Sequence, residues 1–243
     1  MKTSQAKIKR LKLFSFKLNS LLSITKAINA NLSTEDLLKR YEKILREDLN
    51  IGKVLIFKYN YNSNKWEIIL NAGCGDEVGE IDFDNDVLGH QEITFVTSSP
   101  NPSLRTFDNI IPVFHNNEPI SYVLIGDIEE ETKGVSPTIK HLHFIQTLSN
   151  IIMVAIENIR LYNENLRQEA IKKELELASR MQSMLIPEET TLPHNDQVYV
   201  TTFYKPHFEV GGDYYDFIRL NKEEDGFCIA DVSGKGISAA LLM

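Results

Sequence analysis

The 243-residue sequence predicts an α+β chain: helices first, then a run of strands, then one long helix and a final hairpin. Three observations carry that prediction. Apolar residues recur at spacings of three and four from Leu11 to Leu49. Between Lys53 and Asp127 the period shortens, and stretches rich in β-branched and aromatic residues alternate with Asn, Gly and Pro turns. From Pro137 the longer spacing returns and runs to about Leu185 without a breaker. Helices set apart from strands in this way are an α+β order.

The first helix carries Leu11, Phe14, Leu18, Leu21, Thr25, Ile28 and Leu32 on one seam, the heptad signature of a helix that packs on another. Ser33, followed three residues later by Asp36, reads as a capping box that opens a second helix, Thr34 to Leu49. Leu37, Leu38, Tyr41, Ile44, Leu45 and Leu49 give that helix a face to bury. Strands are expected at Lys53 to Tyr59, Trp66 to Leu70, Ile93 to Val96, Ile110 to Phe114 and Ser121 to Asp127. Asn116 and Asn117 mark a hairpin between the last two.

The long helix holds a second seam, Ile145, Leu148, Ile152, Ala155, Ile159, Tyr162 and Leu166. A further step of four to Ala170 is a stutter, after which Leu177, Met181 and Met184 resume, and Pro187 ends the helix. One small domain is not expected to bury both seams, so the helix is read as a coiled-coil linker that joins two copies of the chain.

Net charge of −8, with 42% hydrophobic and 25% charged residues, describes a soluble globular protein and argues against nucleic acid as partner. The first 34 residues depart from that balance, with Lys2, Lys7, Lys9, Arg10, Lys12, Lys17 and Lys26 and no acid. A solvated helix face, or contact with a membrane surface or an acidic partner, fits it. Lysines interrupt every apolar run near the N-terminus and Ile151 to Ile156 is far short of a membrane span, so a cytoplasmic protein without a span is expected. Cys74 and Cys228 show neither disulfide nor zinc spacing. Asp82, Asp84 and Asp86 open like a calcium loop, but Val87 and Ile93 stand where Gly and Glu are required. Cys74, between two glycines, suits a sensor pocket or an ordinary turn at a strand end.

The chemistry is concentrated in Val210 to Met243, VGGDYYDFIRLNKEEDGFCIADVSGKGISAALLM. Asp213 to Leu220 and Phe227 to Asp231 read as the arms of a hairpin centred on Lys222. That places Asp213 opposite Asp231, with Cβ atoms about 4.5–5.5 Å apart on one face. Two such carboxylates suit a hard cation, Mg²⁺ or Mn²⁺. Gly211 and Gly212 leave room for close approach, and Gly234 and Gly236 permit a tight strand-to-helix turn. Spacing alone leaves open that both aspartates are solvated turn residues.

Three ordered pieces, ASRMQSMLIP (Ala178 to Pro187), VGGDYYDF and IADVSGKGISAALLM, resemble the start of the metal-dependent PPM phosphatases, in the bacterial sporulation and sigma-regulator branch. The resemblance implies an α/β/β/α sandwich and a serine/threonine protein phosphatase. Asp213 and Asp231 would ligate a two-ion Mg²⁺ or Mn²⁺ centre, with the main-chain carbonyl of Val232 as a further ligand. Asp216 matches the pattern without a role. The implied substrate is a phosphoserine or phosphothreonine protein of the anti-sigma-factor antagonist kind. The family domain continues past the ALLM helix to further metal-binding aspartates, whereas this chain stops at Met243. The chain as given is therefore expected to be inactive by itself, and the alternative expectation is a non-catalytic sensor and dimerisation module with a phosphatase stub.

The strand-rich part resembles a GAF sensor domain by pattern alone, with no ligand signature. The expected organisation is a basic segment 1–13, a GAF-like sensor 14–160, a coiled-coil linker 161–187 and the opening of a phosphatase domain 188–243.

Overall fold

The computed structural model describes residues 2–128, 137–206 and 209–233. The expected turn at Gly234 and Gly236 and the helix leading to Met243 lie outside the described residues. Two compact units divide the chain, Met1–Leu161 and Tyr162–Met243.

In the first unit, helices α1 (Lys2–Asn29) and α2 (Thr34–Lys43) precede strands β1 (Ile51–Asn60), β2 (Lys65–Ala72), β3 (Thr94–Phe95), β4 (Asn109–His115) and β5 (Glu118–Ile128). Helix α3 (Pro137–Ser183) gives its first part to this unit and, from Tyr162, its remainder to the second. The five strands form one antiparallel sheet in the order β2-β1-β5-β4-β3. Strand β1 therefore lies inside the sheet, and both of its faces are covered. Val54 and Ile56 join a core with Ile24, Leu37, Tyr41, Leu148 and Ile152 of the three helices. Leu55 and Phe57, on the other face, join Leu104, Phe107, Tyr122 and Leu124 under the long β2–β4 connection. A strand covered on both sides has no solvent face to mark, which is why Val54 to Phe57, VLIF, is a continuous apolar run.

Local chemistry sets the turns and caps. Ser33 accepts the backbone N–H of Asp36 at 3.1 Å and donates its hydroxyl proton to the Asp36 carboxylate, capping α2. The second helix does not run as an α-helix to Leu49. It stops at Lys43 and widens into a π-turn, Ile44–Asp48, in which the Leu49 N–H reaches the carbonyl of Ile44. The wider turn keeps Ile44 and Leu45 buried. Asn116 and Asn117 both take positive φ, 51° and 66°, as a two-residue hairpin of the primed type requires. Gly73 also has positive φ, and a Cβ there would lie 2.1 Å from the Gly52 carbonyl oxygen. Only glycine fits that approach.

The seam on α3 is covered differently from the sequence expectation. Ile145, Leu148, Ile152 and Ala155 are buried within their own unit, where Ile145, Leu148 and Ile152 belong to the helix-side core. They are not available to join two chains; Tyr162 and Leu166, further along, are exposed. On α1 the division is similar: Ile24 and Ala27 are buried, while Leu11, Phe14 and Leu18 face solvent. α3 is long and apolar enough, by length and composition, to cross a membrane, yet half of its most apolar window is buried inside the protein. Helices of a domain core meet that criterion too.

Tyr41 and Ser149 share a hydrogen bond between hydroxyls in the core, and burial pushes the Tyr41 phenol well up. Lys58 of β1 donates to Glu157 of α3 at 2.9 Å, and Arg160 donates to the same carboxylate through two nitrogens at 2.9 and 2.7 Å. The Arg160 guanidinium in turn lies 4.1 Å from the ring centroid of Tyr61. The acidic loop serves itself: Asp82 accepts from the backbone and side chain of Asn85, and Asp86 accepts from Asp82 N–H and Asn101. Cys74 is half-buried, donates weakly to the Ala72 carbonyl, and has its thiol pKa raised by burial.

Candidate active site

In the second unit, strands β6 (Asp213–Arg219) and β7 (Asp225–Asp231) form an antiparallel hairpin. Its register pairs Asp213 with Asp231 and continues in step to Arg219 with Asp225, centred on residue 222. The Val232 N–H donates to the Gly212 carbonyl at 3.1 Å, and at the far end the Leu220 N–H donates to Glu224. Hydrogen-bonded and non-hydrogen-bonded pairs alternate along such a ladder. Asp213 and Asp231 thus occupy a non-hydrogen-bonded pair, the closest cross-strand position, with Cα atoms about 4.5 Å apart.

Alternation along the strands sorts the side chains onto two faces. Asp213, Tyr215, Phe217 and Arg219 share one face with Asp231, Ile229, Phe227 and Asp225. On it Phe217 stacks on Phe227 at 6.0 Å and Arg219 bonds Asp225 at 3.1 Å. Asp216 falls on the opposite face, across from Cys228, where its carboxylate accepts the N–H of Phe217. It is not part of the pair formed by Asp213 and Asp231.

The face bearing the two aspartates lines a groove of about 970 Å³, closed on its other side by the extended segment that carries Val198, Phe203 and Tyr204. Tyr215 anchors that segment through a 2.9 Å bond to Thr202. Inside the groove the Tyr204 hydroxyl is closed to solvent and has no hydrogen-bond partner among the described residues. Burial first, then the negative charge of Asp213, holds its pKa above the ordinary phenol value.

Asp213 and Asp231 themselves are exposed, and no hydrogen bond or ion pair among the described residues occupies either carboxylate. Two open carboxylates at the closest cross-strand position are a donor set of the kind that Mg²⁺ and Mn²⁺ take, and one that Zn²⁺ favours less. Val232 follows directly on Asp231, held by its bond to Gly212. Among the described residues no group of three or more His, Cys, Asp and Glu converges on this or any other point.

Sequence reasoning missed the residues that brace the pair. Gln182, in the last turn of α3, is buried and bonds both the N–H and the carbonyl of Gly211, each at 3.1 Å. Its place as a polar residue within the apolar RMQSMLIP stretch was the available signal.

No family model matches the chain. The phosphoserine phosphatase RsbU of Bacillus subtilis (strain 168) is 40% identical over 76 residues, 31% of this chain and 22% of that protein. The phosphoserine phosphatase RsbP of the same organism is 38% identical over 71 residues, 29% of this chain and 17% of that protein. Part of this chain is thus similar in sequence to two phosphoserine phosphatases. The match spans about a fifth of each relative's length.

Among solved structures, a GAF domain from Pseudomonas syringae pv. tomato aligns with a TM-score of 0.48 at 12% identity, over 66% of this chain and 98% of that one. The GAF domain from an Acinetobacter phosphoenolpyruvate-protein phosphotransferase aligns with a TM-score of 0.45 at 14% identity, over 60% and 95%. The first unit itself has an α+β build, with one antiparallel sheet and flanking helices.

Proposed function

We propose that the chain belongs to a signal-responsive, metal-dependent serine/threonine protein phosphatase, with the GAF-like unit as sensor and the second unit as the opening of the catalytic domain. The observation that carries this reading is the register of β6 and β7, which sets Asp213 against Asp231 in the lining of a groove. The phosphoserine phosphatase relatives support the reaction class. Asp213, Asp231 and the Val232 carbonyl would hold Mg²⁺ or Mn²⁺, two ions in the complete site. Bound there, the metal would lower the pKa of a water and offset charge on the phosphoryl oxygens. The chain's own contribution is position. The hairpin sets the two aspartates opposite each other before any ion arrives, and the groove lined by Tyr204, Tyr215 and Phe227 gives a phosphoprotein segment a surface to lie on.

The substrate in this reading is a phosphoserine or phosphothreonine protein of the anti-sigma-factor antagonist kind, met in the cytoplasm. Two copies would pair through the exposed part of the α3 seam, Tyr162 and Leu166. The decisive experiment is Mn²⁺-dependent phosphate release from a phosphoserine protein by the intact gene product, with Asp213→Asn alongside. Equal rates in the two would remove the assignment.

One observation favours a second reading for this chain taken alone. Among the described residues only two carboxylates meet at the site, without a third side-chain ligand, as a non-catalytic sensor and dimerisation module would have it. Absence of Mn²⁺ binding to the chain, together with a stable dimer, would select that reading.

A further inference from the structure

We infer that Gln182 is a positioning residue for the candidate site: its carboxamide fixes the Gly211 peptide and, through it, the place of Asp213. The inference rests on the reading of Asp213 and Asp231 as metal ligands. Gln182, Tyr204, Gly211 and the hairpin all belong to the second unit.

The geometry is that of a clamp. Gln182 Nε2 donates to the Gly211 carbonyl oxygen and the Gly211 N–H donates to Gln182 Oε1, both at 3.1 Å, across 29 residues of sequence. One side chain therefore satisfies both polar groups of a single residue, as a neighbouring strand would. Gln182 is 8% exposed, so water competes poorly for these bonds. On its other side Gly211 is closed off by packing. A Cβ at that position would lie 2.5 Å from the Tyr204 hydroxyl oxygen and 3.2 Å from Pro206 Cβ. The next residue is held as well, since the Gly212 carbonyl accepts the Val232 N–H.

Three successive residues are thus held by three different elements. Gly211 is held by the last turn of α3, Gly212 by the residue after β7, and Asp213 by its pairing across the hairpin. Displacement of the last turn of α3 must then either break both Gln182 bonds or carry the Gly211 peptide with it. In the second case the backbone that leads into Asp213 moves. Neither glycine has a side chain that could anchor the loop independently, so the helix supplies the anchor. This gives the helix a defined handle on the site, a single carboxamide.

The test uses the full chain with two variants. Gln182→Met keeps the side-chain length and removes both bonds. Gln182→Glu keeps an acceptor for the Gly211 N–H and loses the donor. Amide exchange is followed by NMR at Gly211, Gly212 and Asp213, and Mn²⁺ binding is read as paramagnetic broadening of the Asp213 and Asp231 signals. In Gln182→Met, exchange at Gly211 should rise roughly five- to tenfold, the effect of losing a buried hydrogen bond. The Mn²⁺ concentration for half-broadening should rise several-fold, and the melting of the sensor unit should not change. Gln182→Glu should keep Gly211 protected and fall between wild type and Met in Mn²⁺ response, which is the rescue that a merely structural role would not produce. Faster exchange with an unchanged Mn²⁺ midpoint would overturn the inference. If Gln182→Met does not fold, Gln182→Glu decides alone, and a wild-type midpoint overturns it. A wild-type chain whose aspartate signals ignore Mn²⁺ defeats the metal reading instead. The positioning of Asp213 is then judged by its backbone chemical shift, and an unshifted Asp213 in the variants would end it.

Discussion

Lys58 on β1 and Glu157 on α3 meet at 2.9 Å with side chains only 11% and 3% exposed. Burial pulls the Glu157 carboxyl upward, but the hydrogen bonds from Arg160 and Lys58 outweigh it and leave the pKa below the ordinary value. A depressed carboxyl contributes stability that is present above its unfolded pKa of about 4.3 and is lost as pH falls through the lower folded value. Removing one partner of a buried pair costs about 3 kcal/mol. Glu157→Gln should therefore destabilise the chain by about that much at pH 7 in urea unfolding, and should flatten the stability loss between about pH 5 and 3. A variant as stable as wild type would show that Lys58 reaches water instead.

Ile152 is fully buried in the core of its own unit. Ile152→Ala should cost about 2–4 kcal/mol as a cavity forms, and Ile152→Glu should abolish cooperative melting. Circular dichroism distinguishes this from the outcome expected of an interface residue, a folded monomer with an unchanged melting curve.

Tyr162 and Leu166 on α3, and Leu11, Phe14 and Leu18 on α1, are large apolar side chains left exposed in a single copy. If two copies pair along α3, Leu166→Glu should dissociate them while leaving the melting temperature of the first unit within about 3 °C, because a charge is costly only where it becomes buried. Sedimentation velocity reads the change. A wild-type chain that stays monomeric at tens of micromolar would refute the pairing.

Asp213→Asn and Asp231→Asn should each lower Mn²⁺-dependent turnover of the intact gene product on the order of 100-fold or more, since each removes a carboxylate from the metal. Asp216→Asn, on the opposite face, should change it by less than about threefold, because its carboxylate is turned away from the pair. Steady-state kinetics on a phosphoserine protein compares all three, and equal losses in Asp213→Asn and Asp216→Asn would contradict the face assignment.

What could be read ahead of the structure was local. The hairpin register followed from the spacing of Asp213 and Asp231 about Lys222 because short antiparallel loops leave little freedom. Asn116 and Asn117 marked their turn through the positive φ that Asn tolerates. The seam Ile145 to Ala155 was visible as a pattern, but a three-four repeat is the same whether a second chain or the helix's own sheet covers it. The π-turn at Ile44 left no compositional trace. Nor did the partners that close the sites: Glu157 lies 99 residues from Lys58, and Gln182 lies 29 from Gly211. Such pairs are set by tertiary packing, which periodicity does not report.

The interior position of β1 has a consequence for the newborn chain. Ile51 pairs with Ile128 and Lys58 with Ser121, so this interior strand leaves the ribosome more than 60 residues before the second strand that will flank it. At about 5–20 residues per second this is a wait of roughly 3 to 15 s. During it VLIF, apolar on both faces, has only β2 beside it. Lys53 and Lys58 bracket that tetrapeptide, one at each end, as charges that discourage pairing with another nascent chain. Lys58 thus serves twice, first as a guard on an open strand edge and later, once α3 has been made, as the buried partner of Glu157.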